Sequence, residues 1–239
     1  MADLLDKATE KFQRSCAHLV KFLDDWIDKI ADRCAQDEQR RAAFFIWSRY
    51  TMSIRTLQRI CDPHLMPDIY LIGRACIEFD ASLKAVIDDL KQAHKYVQFE
   101  DAAAAYLGRL FKQHGYTDDL GAMQSRLKEA FGPDWEKSAR AKWCNISEII
   151  VRYAGPEERI GYAWWSHFAH GSVVAIESLR GIVPTQRRLD QAMGLIYNSY
   201  LMSTSDFVDF MWGHMVTADS ERCKKDFETV MASNIWGAH

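Results

Sequence analysis

Three polar side chains, Tyr162, Ser166 and His170, recur at intervals of four residues within residues 159–180. In a helix, residues four apart lie on one face, so these groups would form a polar stripe among apolar neighbours. An imidazole can exchange a proton near neutral pH, which makes His170 the candidate for a general acid or base. The spacing therefore predicts either a buried hydrogen-bonded network or a binding or catalytic pocket around His170.

Arg74 and Glu78 stand four residues apart on another predicted helix and can pair. An ion pair that is taken out of water is costly unless further hydrogen bonds satisfy it. Tyr162, Ser166 and His170 carry the groups that would supply those bonds. We therefore expect all five side chains to meet, and in a catalytic site Arg74 would stabilise negative charge.

Other chemistry finds less support in the sequence. His167 and His170 are close enough to share a metal, but no third ligand is evident nearby, so we expect neither a metal nor another cofactor and keep His167 as a candidate binding residue. The Arg-x4–6-His pattern of HEPN ribonucleases occurs at Arg59–His64 and Arg109–His114, about as often as chance predicts. Cys76 lacks a base beside it, so we interpret it as a small core residue.

The totals limit the class of protein. The 239 residues carry a formal net charge of −3 with no basic tail or run, so nucleic acid is possible as a partner but is not indicated by the charge. No apolar run approaches the length of a membrane span. Six cysteines without a CxxC pair favour a reduced, cytoplasmic protein.

Apolar residues at three- and four-residue steps predict an all-α fold: one domain over residues 1–239 with seven to nine helices. A helix at 156–182 is expected to be central and buried, with the helix at 67–91 packed against it and an N-terminal helix at 3–33. The other predicted helices cover residues 38–61, 93–113, 117–132, 134–153, 185–216 and 219–235. The predicted core includes Ile72, Phe79, Leu83, Tyr162, Trp165, Ala169, Val173 and Ile176.

Two segments, LIGRACIEFDASLKAVIDD and YAWWSHFAHGS, together resemble the bacterial family named domain of unknown function 5677. They are similar to that family's Arg-x3-Glu helix and to its Tyr-x3-Ser-x3-His-x-Ser pattern. The resemblance spans about residues 40–215 and implies an all-helical fold, but no activity, because the family is uncharacterised. The matching residues, which add Ser172 to the candidate binding residues, are Arg74, Glu78, Tyr162, Ser166, His170 and Ser172.

Two functions remain open. The first, which we favour, is a non-catalytic interaction or scaffold module with a protein partner or with a second copy of itself, because eight Trp exceed what a core of this size ordinarily holds. The second is an enzyme acting on a nucleotide or phosphodiester, of the HEPN ribonuclease type. There, His170 would be the general acid or base and Arg74 the stabiliser of charge.

Overall fold

The protein is an all-α bundle, as the sequence predicts. The computed structural model describes residues 2–34, 37–113, 125, 128–129, 132–133, 146–170, 186–213 and 217–234. Within these residues there are eight α-helices, one 3-10 turn at Pro63–Leu65 and no strand. In chain order the helices are α1 Ala2–Cys34, α2 Glu38–Arg59, α3 Met66–Asp88, α4 Leu90–Gln113, α5 Ile146–Tyr153, α6 Pro156–Ala169, α7 Gln186–Trp212 and α8 Ala218–Ala232.

Local sequence signals begin these helices. Asp37 caps α2, because its side chain accepts a hydrogen bond from the backbone N–H of Arg40 at 2.7 Å. Thr217 caps α8 in the same way through the N–H of Ser220. Pro156 occupies the first turn of α6, where its missing N–H costs no hydrogen bond.

The centre of the bundle is α3, which packs against α2, α4, α5, α6 and α7. Its fully buried residues include Ile69, Cys76 and Leu83. The sequence had instead favoured the helix from Pro156 as the central element. That helix packs against α3 from one side, and seven of its fourteen residues are exposed, because its large apolar residues do not all face one way.

The helix from Pro156 also ends earlier than predicted. Its last helical residue is Ala169 and His170 is its C-cap, whereas the prediction ran to 182. Gly171 follows directly in the sequence, and glycine just past a helix end is a common stop signal. Of the predicted core residues, Leu83 and Trp165 are buried; Ile72, Phe79, Tyr162 and Ala169 are partly buried; Val173 and Ile176 lie outside the described residues.

Aromatic residues join α2 to α7 behind α3. The ring of Trp47 stacks on Phe207 with centroids 4.6 Å apart, and its indole N–H donates to Thr204 at 3.1 Å. Tyr50 meets Tyr200 edge to face at 5.0 Å. This packing fixes the position of α7, which forms one wall of the groove described below.

The structure also bears on the predicted role of Cys76 and on membrane-spanning helices. Cys76 is fully buried and burial raises the pKa of its thiol far above its usual range, which agrees with its interpretation as a core residue. No helix in the described part of the chain is both long and apolar enough to cross a membrane.

Candidate functional site

The seam between α3 and α6 brings together four of the five side chains that the sequence singled out. The guanidinium of Arg74 donates to the hydroxyl of Ser166 through Nε at 3.1 Å and to the hydroxyl of Tyr162 through Nη2 at 3.3 Å. The same Nη2 lies 2.8 Å from Oε1 of Glu78, and the Tyr162 hydroxyl donates to that oxygen at 3.2 Å. We refer to these four residues as the Arg74 network.

The Arg74 network is neither sealed nor fully open. The side chains of Arg74 and Glu78 retain 24% and 27% of their exposure. Ser166 also donates to the carbonyl of Tyr162 at 2.6 Å, one turn earlier on α6. The Arg74 guanidinium lies 5.2 Å from the Tyr162 ring, a cation–π distance. The network therefore holds α6 against α3 at a partly exposed edge of the bundle.

His170 does not join the network, so that expectation was wrong. As the C-cap of α6 it is exposed, and its backbone N–H bonds to the carbonyl of Ser166 at 3.1 Å. Because the last helical residue is Ala169, the ring of His170 does not continue the stripe formed by Tyr162 and Ser166. His167, in the last turn of α6, is exposed, and Ser172 lies outside the described residues.

A second polar cluster lies deeper, at the contact of α3 with α7, and the sequence analysis missed it. Asp80 is fully buried, and its Oδ2 accepts from Nζ of Lys84 at 2.8 Å. The hydroxyl of Ser203 on α7 donates to the other carboxylate oxygen. Asp80 therefore has a partner on each oxygen, which compensates part of the cost of its burial.

Glu158 extends this cluster to α6. Its Oε2 accepts from the N–H of Gly155 at 2.5 Å, which caps the first turn of the helix. Its Oε1 accepts from the hydroxyl of Ser199, a buried residue of α7. The carboxylate of Glu158 thus caps the N-terminus of α6 and also bonds this helix to α7.

These charges influence one another through the protein interior. Burial raises the pKa of Asp80 to about 6; the nearby ammonium of Lys84 offsets part of that rise and the carboxylate of Glu158 adds to it. Desolvation acts to lower the pKa of Lys84, but Asp80, Glu158 and Asp206 together hold it above its ordinary value. For Asp206, as for Asp80, desolvation raises the pKa, and the positive charge of Lys84 opposes that rise. Lys84 is therefore an ammonium facing three carboxylates.

A groove of about 1570 Å³ follows the α6–α7 seam on the other face of α6. None of the Arg74 network residues lines it. Lys84, Glu158 and Ser199 contribute to it from the buried cluster, so this cluster forms part of its wall. The rest of the groove is lined by aromatic and aliphatic side chains and by polar ones. The former include Tyr70, Ile160, Trp164, Trp165, Leu195 and Met202, and the latter include Tyr153, Glu157, Arg188, Gln191, Asn198 and Asp206.

The groove exposes large apolar side chains between its two helices. Ile160 and Met202 keep 71% and 56% of their exposure, and Trp164 is also exposed. Trp165 is buried and stacks on Tyr70 with centroids 5.7 Å apart, which gives the groove a rigid floor. We call this feature the α6–α7 groove.

Two sequence signals could have located the second cluster. Asp80 is an acid between Ile77 and Leu83 on the apolar stripe of α3, and a lone acid there implies a buried partner. Glu158 is the third residue of α6, the position from which a glutamate reaches back to the N-terminus. Neither signal, however, shows that α7 supplies Ser199 and Ser203.

The fold and its two polar clusters place the protein among the helical bundles, and this architecture does not by itself imply an activity. Comparison of the chain with family models, curated proteins and solved structures found no match. The resemblance to domain of unknown function 5677 therefore stays a prediction. In the part of the chain that the structure describes, no group of three or more His, Cys, Asp or Glu side chains is placed to hold a metal ion.

Proposed function

We propose that the protein is an interaction or scaffold module that binds an amphipathic helix of a partner protein in the α6–α7 groove. The observation that carries the proposal is the exposure of Ile160, Trp164 and Met202 along one groove with a packed aromatic floor. Contiguous exposed apolar side chains with a polar rim are typical of protein interaction sites. Apolar grooves between helices accept the apolar face of a further helix.

The length of the groove suits a helix. Its lining residues on α7 run from Arg188 to Asp206, which corresponds to about 27 Å at 1.5 Å per residue. A partner helix of roughly 18 residues would cover that length. Its apolar residues at three- and four-residue steps would pack between Ile160 and Met202, so the partner would add a third helix to the α6–α7 pair.

The charges at one end of the groove would set the direction in which the partner helix binds. Glu157 and Asp206 are exposed acids that line the end of the groove near the start of α6. Lys84 lies near Asp206, but its short ion pair is with Asp80. A partner with lysine or arginine at the corresponding end would therefore be attracted and placed in register.

The alternative function, an enzyme acting on a nucleotide or phosphodiester, has one observation in its favour. The guanidinium of Arg74 is partly exposed and is held in place by Glu78, Tyr162 and Ser166, as an anion-binding group would be. Against it, Glu78 already compensates the charge of Arg74, and the exposed His170 lies outside their hydrogen-bonded network. We therefore place this function second.

Peptide binding tests the first function. A fluorescently labelled helical peptide of roughly 18 residues, with leucines on one face and lysines beside them, is titrated with the protein and its anisotropy followed. We expect saturable binding, weakened about tenfold or more by Ile160→Glu and by Met202→Glu, which corresponds to about 1.4 kcal/mol each. Both residues are exposed, so neither change removes core packing.

Val151→Glu is the matched control, because Val151 is also an exposed aliphatic residue but does not line the groove. Equal binding by the control and the two groove variants would contradict the proposal, as would no binding by the wild type. A phosphodiester or nucleotide hydrolysis assay on wild type and Arg74→Ala tests the alternative. Hydrolysis that Arg74→Ala abolishes would make the alternative the function.

A further inference from the structure

The outer face of α2 differs from an ordinary solvated helix face. Five exposed residues form one stripe about 80° wide along it, at 100° per residue. Phe45 and Met52 stand at its middle and keep 45% and 68% of their exposure, while Ala43, Trp47 and Tyr50 lie buried away from it. We call this surface the α2 stripe; its residues are Arg41, Phe45, Met52, Arg55 and Arg59.

The charge on the α2 stripe is of one sign, and no described acidic side chain pairs with it. The side chains of Arg41, Arg55 and Arg59 are exposed and make no hydrogen bond or ion pair with any described residue. The other arginines of α2 do have partners: Arg49 makes a bidentate pair with Glu100 at 2.9 Å through each nitrogen, and Arg40 pairs with Asp37. After Glu38, α2 has no acidic residue. The stripe therefore lacks an acidic partner within the described chain.

We propose that the α2 stripe is a second docking surface, for an acidic amphipathic helix of a partner protein. Phe45 and Met52 are seven residues apart, about 10.5 Å along the axis, which is the two-turn repeat of a packed helix pair. Arg41 and Arg59 stand about 27 Å apart at the ends of the stripe. The partner fits when its apolar residues meet Phe45 and Met52 and its carboxylates lie near both ends.

A protein partner explains the stripe better than a phosphate backbone does. Its middle is apolar over two turns and offers one aromatic ring, that of Phe45, whereas single-stranded nucleic acid stacks successive bases on several rings. Two apolar side chains are also too few to enter a lipid surface.

None of the stripe residues lines the α6–α7 groove, and α3 packs between α2 and α6. The two surfaces therefore act independently, and the protein would join a basic helix in the groove to an acidic helix on α2. This inference does not depend on the groove: an acidic partner could bind α2 even if the groove bound nothing.

Binding of an acidic peptide tests the proposal. The probe is a labelled helical peptide of roughly 18 residues with leucines seven residues apart and glutamates beside them, and anisotropy is measured at low and at high salt. We expect saturable binding that weakens as salt rises, because the arginines are exposed. The double variant Arg55→Gln/Arg59→Gln and the single variant Phe45→Ser should each weaken it about tenfold or more.

The charge-matched control is Arg152→Gln/Arg222→Gln, which removes two exposed arginines from α5 and α8 and should leave binding unchanged. Met202→Glu should also leave it unchanged, which separates this surface from the groove. Equal losses in the control would reduce the effect to net charge and overturn the proposal. Tighter binding of a single-stranded RNA or of phosphatidylserine vesicles than of the acidic peptide would overturn it as well.

Discussion

The hydroxyl of Tyr162 lies between the two members of an ion pair: 3.3 Å from Nη2 of Arg74 and 3.2 Å from Oε1 of Glu78. It accepts from one and donates to the other, so a single hydroxyl on α6 binds to both charges on α3. Ser166 holds the Nε side of the same guanidinium. The Arg74 network is therefore a clamp between two helices rather than a pair that happens to lie near them.

The first prediction concerns this hydroxyl. Tyr162→Phe keeps the ring and removes only the O–H, so it should lower the free energy of unfolding by about 1 kcal/mol, because solvent at these partly exposed charges screens bonds that would otherwise contribute more. Urea unfolding measures the change. The matched control is Tyr153→Phe, whose hydroxyl donates to the exposed Asp88 and should cost less. A larger loss in the control would contradict the role of the clamp.

The second prediction concerns His170, which the sequence placed inside the bundle. Since its ring is exposed at the end of α6, His170→Ala should change the free energy of unfolding by less than about 0.5 kcal/mol and so leave the melting temperature nearly unchanged. Ser166→Ala, which removes a hydroxyl bonded to Arg74, should lower it measurably. Thermal unfolding of both variants beside the wild type makes the comparison, and a large loss for His170→Ala would show that its ring has a buried partner.

The sequence predicted the helices because apolar periodicity is local, and it predicted the meeting of Arg74, Glu78, Tyr162 and Ser166 because each helix repeats its polar groups at four residues. The four-residue stripe misled the prediction of where α6 ends, since the stripe continues in the sequence through His170 although the helix does not. The cap depends on the competition between one more turn and a stop at Gly171, and the pattern of polar residues does not contain that information.

The buried cluster was missed for a different reason. Asp80 and Lys84 have the same four-residue spacing as Arg74 and Glu78, so spacing alone does not distinguish a fully buried acid from a surface one. Its burial depends on α7, which lies more than one hundred residues further along the chain and supplies Ser203. Long-range packing of this kind leaves no short motif.

The third prediction concerns the close approach of α3 to its neighbours at Gly73. A Cβ there would lie 2.8 Å from Cζ3 of Trp165 and 2.8 Å from Cδ1 of Ile196, and the indole ring cannot bend away. Gly73→Ala should therefore lower the free energy of unfolding by about 1–3 kcal/mol, although alanine is the better helix former. Gly161→Ala is the control, because its Cβ would be tight only against the flexible end of Leu195 at 3.2 Å, while Ile77 and Trp165 would lie at ordinary contact distances. Urea unfolding should rank Gly73→Ala as the more damaging; the reverse order would contradict this packing.

The last prediction concerns the ionisation of Asp80. The pKa of its carboxyl is about 6 in the folded chain against an ordinary value of 3.8, because burial disfavours the charge. A raised pKa means that the folded state binds the proton more tightly, so the contribution of this group to stability is greatest below about pH 3.8 and is lost as pH rises through about 6. The difference between the two values corresponds to about 3 kcal/mol.

Asp80→Asn removes this titration and keeps an oxygen that can accept from Ser203. The free energy of unfolding of the wild type minus that of Asp80→Asn should therefore fall by roughly 2 kcal/mol between pH 4 and pH 7, with most of the fall below pH 6. Urea unfolding of both proteins across this range measures the difference, in which the other titrating groups largely cancel. Asp206→Asn, at an exposed carboxylate beside the same lysine, is the control and should show a smaller change. A difference that rises with pH would contradict this prediction, because it would mean that the attraction of Lys84 outweighs the burial of Asp80.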